Sequence, residues 1–140
     1  MNHPYEGVGP DNGGQMKVLV VEDNEAVRDL LALILARLGY VPVLASHGKE
    51  GLEKAIAEKP NLIVMDMMMP IMDGWEAART LRASCETKEI PILAITALFR
   101  PHDLKTCLEA GCNGYIVKPF SVLNLQSKIA ELLAAPIAKI

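Results

Sequence analysis

The stretch VLVVEDNEAVRDLLALILARLG, residues 18–39, joins a short apolar run to a segment with helical spacing. The run Val18–Val21 is long enough for a buried strand. From Glu25 to Leu38, apolar residues recur every three or four positions, which is typical of a helix with one apolar face. Gly39 comes next, and glycine is common just past the end of a helix. The stretch therefore predicts one strand followed by one helix.

The same alternation recurs four more times along the chain. Near-continuous Val, Ile and Leu in the predicted strands indicate burial on both faces, as in a parallel sheet covered by helices. We therefore predict a three-layer, doubly wound α/β fold, (βα)5, with a five-stranded parallel sheet. The further strands are predicted at Val41–Ala45, Leu62–Met65, Ile92–Ile95 and Gly114–Val117, and the helices at Lys49–Ala57, Trp75–Ala83, Pro101–Ala110 and Val122–Leu133.

Length and composition indicate one domain with an aliphatic core, because 140 residues contain 51% hydrophobic but only 4% aromatic residues. We expect a disordered leader at residues 1–15, the folded domain at 16–135 and a short tail at 136–140. The longest apolar stretch, Leu30–Ala36, is far shorter than the roughly 20 residues that span a bilayer. A net charge of −3 without a basic run argues against direct nucleic-acid binding.

The three cysteines, Cys85, Cys107 and Cys112, do not have the spacing of metal ligands. An odd number of cysteines fits reduced thiols better than a disulfide framework. We therefore expect free, buried thiols and a cytoplasmic location.

Polar residues follow four of the predicted strands at their carboxyl ends. Glu22 and Asp23 follow the first strand, and Asp66 follows the third. Thr96 follows the fourth strand and Lys118 the fifth. Because ligands of open parallel sheets bind at the carboxyl ends of the strands, we expect these side chains to converge at one edge.

Taken one at a time, these residues have simpler explanations. Acidic residues before a helix favour the positive end of its dipole, and Asp23 or Asn24 would serve as the N-cap. Thr96 alone is an ordinary strand end, and Lys118 alone an ordinary loop residue. Asp66 is different, because a carboxylate amid apolar neighbours costs several kcal/mol unless it is paired. The functional prediction rests on the combination.

That combination predicts phosphoryl chemistry. Carboxylates brought together repel one another and raise some of their pKa values unless a cation is present. Mg²⁺ suits such a site, because it binds through few carboxylates and also accepts phosphate oxygens. A carboxylate beside Mg²⁺, an ammonium and a hydroxyl can attack a phosphoryl group, since the cations offset its charge. The predicted product is an aspartyl phosphate.

Four motifs carry a resemblance to a known family: VLVVEDN at 18–24, MDMMMPIMDG at 65–74, ITA at 95–97 and YIVKPF at 115–120. Together they resemble the receiver domain of two-component response regulators, including the single-domain chemotaxis regulators. The similarity covers about residues 16–133. It implies a flavodoxin-like receiver fold with strand order 2-1-3-4-5.

The resemblance implies an acceptor and a metal site. Asp66 would be the phosphoacceptor. Glu22 and Asp23 would hold Mg²⁺ together with Asp66, and the backbone carbonyl of Met68 would be a further ligand.

The resemblance also implies a switch. Thr96 and Lys118 would each bind a phosphoryl oxygen. Phosphorylation would draw Thr96 inward, and Tyr115 would follow by changing its rotamer. The bond between Lys118 and Pro119 is a candidate for a cis peptide, and Gly74 would shape the loop after the acceptor.

The resemblance further implies two-component phosphorelay signalling rather than an enzyme acting on a separate substrate. The donor would be a histidine kinase or a histidine phosphotransfer protein, which would meet the first helix and the loops around Asp66. A free single-domain regulator and a receiver cut from a hybrid histidine kinase both stay open. A downstream protein would bind the face of the fourth helix, fifth strand and fifth helix, where Phe99, Pro101, Tyr115 and Phe120 are expected.

Two other functions are disfavoured by particular residues. A Mg²⁺-dependent phosphatase with an aspartate nucleophile typically carries a second acid two residues later, where Met68 stands. A receiver-like interaction module that works without phosphorylation usually lacks one of the acids or the lysine, all of which are present. Met68 and Leu98 are apolar where polar side chains often position the attacking water, so we expect slow hydrolysis of the phosphoryl group.

Overall fold

A computed structural model describes residues 15–69, 72–97 and 101–134. Five strands alternate with five helices, which confirms the predicted three-layer α/β fold. The end of each element differs from its prediction by no more than one residue. The predicted leader, apart from Gln15, and the predicted tail lie outside the described residues. The elements are β1 (Lys17–Val21), α1 (Glu25–Arg37), β2 (Val41–Ala45), α2 (Gly48–Glu58), β3 (Leu62–Asp66), α3 (Gly74–Ala83), β4 (Ile92–Thr96), α4 (Pro101–Glu109), β5 (Gly114–Val117) and α5 (Val122–Ala134).

All five strands are parallel and lie in the order β2-β1-β3-β4-β5. This order confirms the one that the resemblance implied. The chain runs outward from β1 in one direction to β2 and in the other to β3, so the strand order reverses beside β1. The carboxyl ends of β1 and β3 are neighbours there, with Val21 opposite Met65 in the register.

The core lies on both faces of the sheet and is aliphatic, as the composition predicts. Residues of β1 alternate between the faces: Leu19 packs in the cluster with α2, α3 and α4, whereas Val20 packs in the cluster with α1 and α5. Every residue of β3 and β4 is buried, while β2 and β5 at the sheet edges are partly exposed.

Helix ends follow the local signals in the sequence. Asn24, rather than Asp23, caps α1, because its side chain accepts a hydrogen bond of 3.0 Å from the Val27 amide. Ser121 caps α5 through a hydrogen bond of 3.0 Å from the Asn124 amide to its hydroxyl. Pro101 is the first residue of α4, as predicted. Across the described ranges, no helix has the length and hydropathy that a bilayer span requires.

Two sequence predictions about side-chain placement are wrong. Cys85 is exposed, because it lies in the surface connection between α3 and β4, whereas Cys107 and Cys112 are buried as expected. Phe120 packs with the cluster of α1 and α5 rather than beside α4, because the loop that carries it lies against α1, where Phe120 lines a groove with Val27 and Leu30. Phe99 lies outside the described residues.

Candidate functional site

The carboxyl ends of β1 and β3 bring three acidic side chains together. Asp66 is the last residue of β3, and Glu22 and Asp23 follow β1 directly. One carboxylate oxygen from each lies within 4.8 Å of those of the other two. Glu22 and Asp66 are buried, with 1% and 5% of their surface exposed, whereas Asp23 is exposed. The predicted convergence of the three acids is therefore present.

Lys118 supplies the positive charge of this cluster. Its Nζ atom lies 3.6 Å from Glu22 Oε1 and 3.7 Å from Asp66 Oδ1. The Lys118 backbone amide donates to the Thr96 carbonyl with a length of 2.8 Å, so the loop after β5 is fixed to the end of β4. The bond between Lys118 and Pro119 is cis. One ammonium group thus faces two buried carboxylates.

Thr96 and Tyr115 lie beside this cluster along the sheet. Thr96 is the last residue of β4, which lies between β3, where Asp66 is, and β5, which Lys118 follows, and it is buried. Tyr115 lies on β5 opposite Ala94 and is half-buried against the core. Tyr115 lies on its predicted strand, and Thr96 extends β4 by one residue beyond the predicted end.

The loop after β1 is held by hydrogen bonds on both sides. The Glu22 amide donates to the carbonyl of Ala45 at the end of β2 with a length of 3.1 Å. The Glu22 carbonyl accepts a hydrogen bond of 2.9 Å from the Arg28 guanidinium of α1, and Oε2 accepts one of 3.1 Å from the Asn24 amide. Arg28 was not predicted as part of the site, although its position near the start of the helix that follows the acids indicates that it could reach them.

The loop after β3 approaches the acceptor strand closely. The Met68 amide donates to Asp66 Oδ1 with a length of 3.1 Å. Gly74 begins α3 so close to this strand that a Cβ atom there would lie 2.6 Å from Met67 Cα and 3.0 Å from the Asp66 carbonyl oxygen. The loop therefore needs glycine at position 74. Met68 projects outward with 52% of its surface exposed.

Burial dominates the protonation of the two inner acids. Burial raises the pKa of the Asp66 carboxyl, against the opposing effects of the Met68 amide and the Lys118 charge. Burial likewise raises the pKa of Glu22, where the Asn24 amide opposes the increase and the Asp66 charge adds to it. The uncharged forms of these two acids are therefore favoured relative to their forms in water.

The donor set fits a small divalent cation. All three acids offer hard oxygen atoms, which Mg²⁺ prefers. Glu22 Oε1 is buried and accepts no hydrogen bond from the part of the chain that the structure describes. A cation at this point would satisfy that oxygen and offset the repulsion between the carboxylates.

Comparison with known proteins agrees with the fold and identifies the family. The family described as "Response regulator receiver domain" matches residues 18–130. The probable transcriptional regulator ycf27 of Cyanophora paradoxa is 42% identical over 117 residues, which cover 84% of this chain and 48% of that protein. The alkaline phosphatase synthesis transcriptional regulatory protein PhoP of Bacillus subtilis is 41% identical over 117 residues, with the same coverage of 84% and 48%. This chain thus spans about half the length of these curated relatives.

Solved structures with the same fold include two from bacterial signalling. The receiver domain of the sensor histidine kinase PA1611 from Pseudomonas aeruginosa has a TM-score of 0.81 and 32% identity to this chain. The match covers 86% of this chain and 99% of that one, and that structure is described with magnesium in the active-site cleft. The chemotaxis protein CheY4 of Vibrio cholerae has a TM-score of 0.81 and 30% identity, and the match covers 84% of this chain and 98% of that one.

Proposed function

Because the chain belongs to the response regulator receiver domain family, we propose that Asp66 accepts a phosphoryl group from a phosphohistidine of a partner protein. In this transfer, a carboxylate oxygen of Asp66 forms the new P–O bond while the P–N bond of the phosphohistidine breaks and the imidazole leaves. The observation that supports the proposal most strongly is the buried Asp66 carboxylate within 3.7 Å of Lys118 and beside two further acids.

We propose that the acids bind Mg²⁺ through Glu22, Asp23, Asp66 and the backbone carbonyl of Met68. When bound, the cation would offset the negative charge of the phosphoryl oxygens and of the carboxylates. The described geometry supports this proposal in two ways: the three carboxylate oxygens lie within 4.8 Å of one another, and Glu22 Oε1 is buried and accepts no hydrogen bond from the described residues.

The remaining site residues bind the phosphoryl group and transmit its presence. Lys118 pairs with one phosphoryl oxygen by moving from its present position between the carboxylates. Thr96 donates its hydroxyl to another oxygen, and Tyr115 changes rotamer as Thr96 moves. The chain acts on its own aspartate and on no separate substrate, so we propose a signalling domain rather than an enzyme.

The phosphodonor is a histidine kinase or a histidine phosphotransfer protein, and we propose that it docks beside α1. An open apolar groove of about 570 Å³ lies next to the site. An apolar helix of the donor fits this groove, which ends at Lys118 and therefore leads to the acceptor. The groove is lined by Val27, Leu30, Ile34, Lys118, Pro119, Phe120 and Val122.

A downstream protein binds the surface formed by α4, β5 and α5 in this proposal. A groove of about 460 Å³ crosses that face and includes Tyr115, the proposed switch residue, and Leu108, which is 47% exposed. We propose that this domain itself binds protein rather than nucleic acid, because its net charge is −3 and its sequence has no basic run. The free thiols agree with the proposed cytoplasmic location.

Intact-protein mass after incubation with acetyl phosphate and Mg²⁺ tests the acceptor. We expect one added phosphoryl group on the parent chain, and none on Asp66→Asn or in the presence of EDTA. Asp73→Asn is the matched control, because Asp73 is exposed and caps α3 outside the acidic cluster. Failure of the parent to gain mass, while a known receiver is labelled in parallel, would favour the alternative of an interaction module that works without phosphorylation.

We also propose that the phosphoryl group is hydrolysed slowly, because the exposed Met68 side chain offers no polar atom to position a water. Met68→Asn should shorten the lifetime of the phosphorylated protein, measured by the decay of the added mass after removal of acetyl phosphate. Leu98, the second apolar position, lies outside the described residues, and Leu98→Asn is the companion variant. Unchanged decay in the double variant would contradict this part of the proposal.

A further inference from the structure

The outer face of α1 is apolar at its centre and charged at its ends. Leu30 and Leu33 are 51% and 53% exposed, although leucines on a surface helix usually face the core. The inward positions are taken by Leu31 and Leu35, which are buried. The exposed residues that share one side of the helix by their spacing define the α1 outer face: Ala26, Asp29, Leu30, Leu33, Ala36 and Arg37.

The charges of the α1 outer face are placed symmetrically about Leu33. Asp29 precedes Leu33 by four residues, and Arg37 follows it by four. If two copies of α1 cross in antiparallel orientation at Leu33, each Asp29 meets the partner's Arg37. Both pairs lie about 6 Å along the axis from the crossing point, so they remain within reach at the common helix crossing angles.

Small and apolar residues complete the self-complementary surface. Ala26 and Ala36 would let the two helix backbones approach closely on either side of the leucines. Val122 at the start of α5 is 48% exposed and lines a shallow groove of about 260 Å³ with Leu33 and Arg37. The apolar surface therefore continues from α1 onto α5, and a second helix that lies along α1 would cover both.

We propose that two copies of this chain associate through the α1 outer face about a two-fold axis at Leu33. The partner is a second copy because the charges of the face are self-complementary. When the second helix runs in the opposite direction, each Asp29 lies opposite an Arg37 of the other copy. A contact of one 13-residue helix and the start of another is small, so we expect a dissociation constant on the order of 100 µM.

The dimer has a regulatory consequence that rests on the proposed function. Leu30 belongs both to the α1 outer face and to the groove proposed for the phosphodonor. The dimer and the donor complex then exclude each other, so dimerisation would slow transfer from a protein donor but leave labelling by acetyl phosphate unchanged. The dimer itself does not depend on phosphorylation, and its test uses the unphosphorylated chain in EDTA.

Charge reversal gives a test with an internal rescue. Sedimentation velocity of the full chain from about 10 µM to about 1 mM should show a reversible dimer. Asp29→Arg and Arg37→Asp should each weaken the dimer by at least ~10-fold, because each places like charges opposite one another twice. The double variant should restore association, and so should an equimolar mixture of the two single variants, in which every pair is again opposite in sign.

Matched controls separate the interface from general charge effects. Glu53→Arg on α2 and Arg79→Asp on α3 make the same changes of charge at exposed positions outside the face and should leave the dimer intact. Far-ultraviolet circular dichroism should show that all variants are folded. A monomer at every concentration would overturn the proposal and leave the face to the phosphodonor alone. A dimer that the single reversals do not weaken, or that neither rescue restores, would also overturn it.

Discussion

At the scale of single residues, Asp66 is costly to the fold when no cation is bound. Its folded pKa is raised by burial, so the native state binds the proton more tightly than the unfolded chain does. Stability contributed by the protonated acid is therefore lost as the pH rises through and above the ordinary carboxyl range. We expect Asp66→Asn to raise the free energy of unfolding in EDTA at pH 7.5 by about 1 kcal/mol.

Urea denaturation with and without Mg²⁺ measures this effect. Mg²⁺ should stabilise the parent chain and have a much smaller effect on Asp66→Asn, because the variant loses one of the clustered carboxylates. Asp73→Asn serves again as the control and should keep the full response to Mg²⁺. Destabilisation of Asp66→Asn in EDTA would show that the Lys118 ion pair outweighs the burial and repulsion of the carboxylate.

Gly74 is a second residue whose substitution has a defined result. A Cβ atom at this position would overlap Met67 Cα and Sδ, at 2.6 and 2.5 Å, and the backbone cannot give way without moving β3. We expect Gly74→Ala to lower the free energy of unfolding by about 2 kcal/mol, as overpacking does, and to weaken Mg²⁺ binding. Chemical denaturation and a Mg²⁺ titration monitored by Trp75 fluorescence would measure both. Gly114→Ala is the control, since its nearest contact would be an ordinary 3.6 Å.

The positions of the site residues could be predicted because each polar residue follows an apolar strand directly. Parallel strands bring their carboxyl ends to one edge whatever the lengths of the connections, and so Glu22, Asp66 and Lys118 converge. The positions of Cys85 and Phe120 depend on the path that two connecting loops take over the surface. No periodic pattern encodes that path, and both predictions were wrong.

At the scale of elements, α2 is fixed at its start by two side chains. His47 caps the helix, with Nδ1 accepting a hydrogen bond of 3.1 Å from the Glu50 amide. Glu50 reaches back, and its Oε1 accepts 2.7 Å and 2.9 Å hydrogen bonds from the Ser46 amide and hydroxyl. The arrangement resembles a capping box. This cap could not be predicted from the sequence, because histidine is not among the favoured N-cap residues, whereas asparagine and serine, which stand at Asn24 and Ser121, are.

The Glu50 interactions predict a specific dependence on pH. The Ser46 amide, with help from Lys54, lowers the pKa of Glu50 to about 2 from 4.5. A depressed folded pKa gives stability that is present above pH 4.5 and is lost as the pH falls toward 2. The Glu50 side chain is 31% exposed, and solvent weakens its charge interactions. We therefore expect Glu50→Gln to lower the free energy of unfolding by only about 1 kcal/mol at pH 7.

Urea denaturation of the parent and of Glu50→Gln between pH 3 and pH 7 checks this prediction. The difference between the two free energies of unfolding should shrink as the pH falls below 4.5. Glu53→Gln removes an exposed acid of the same helix and should follow the parent at every pH. If the difference between the two free energies of unfolding does not change with pH, the hydrogen bonds from Ser46 to Glu50 do not depend on the negative charge of Glu50.

Connections between elements also depend on contacts that only the folded chain shows. Arg82 at the end of α3 donates through Nε to the Gly111 carbonyl with a length of 2.9 Å and through a terminal nitrogen to Asn113 Oδ1 with a length of 2.6 Å. Gly111 has a φ of 115° and packs against the arginine stem, so a side chain there would be strained and would clash. The connection from α4 to β5 is thus held to α3 by Arg82.

At the scale of the whole molecule, the acidic site lies at the carboxyl edge of the sheet. The reactivity of the buried thiols measures how often the core beneath this edge opens. Cys107 and Cys112 are buried in the cluster that includes β3 and β4, and burial raises the pKa of Cys112 to about 12. Cys85 is exposed. With Ellman's reagent at pH 8 we expect one thiol to react within seconds and two to react only as the protein opens.

We also expect Mg²⁺ at the acidic site to change the rate at which the buried thiols react. If the buried thiols become accessible through global unfolding, Mg²⁺ should slow their modification by the same factor by which it increases the folding equilibrium constant in urea. Cys85→Ser should abolish the fast phase and leave the slow phase unchanged. If Mg²⁺ does not change the rate of the slow modification, the thiols become accessible by local opening of α4 and its connection to β5, while the strands that carry the acidic site stay folded.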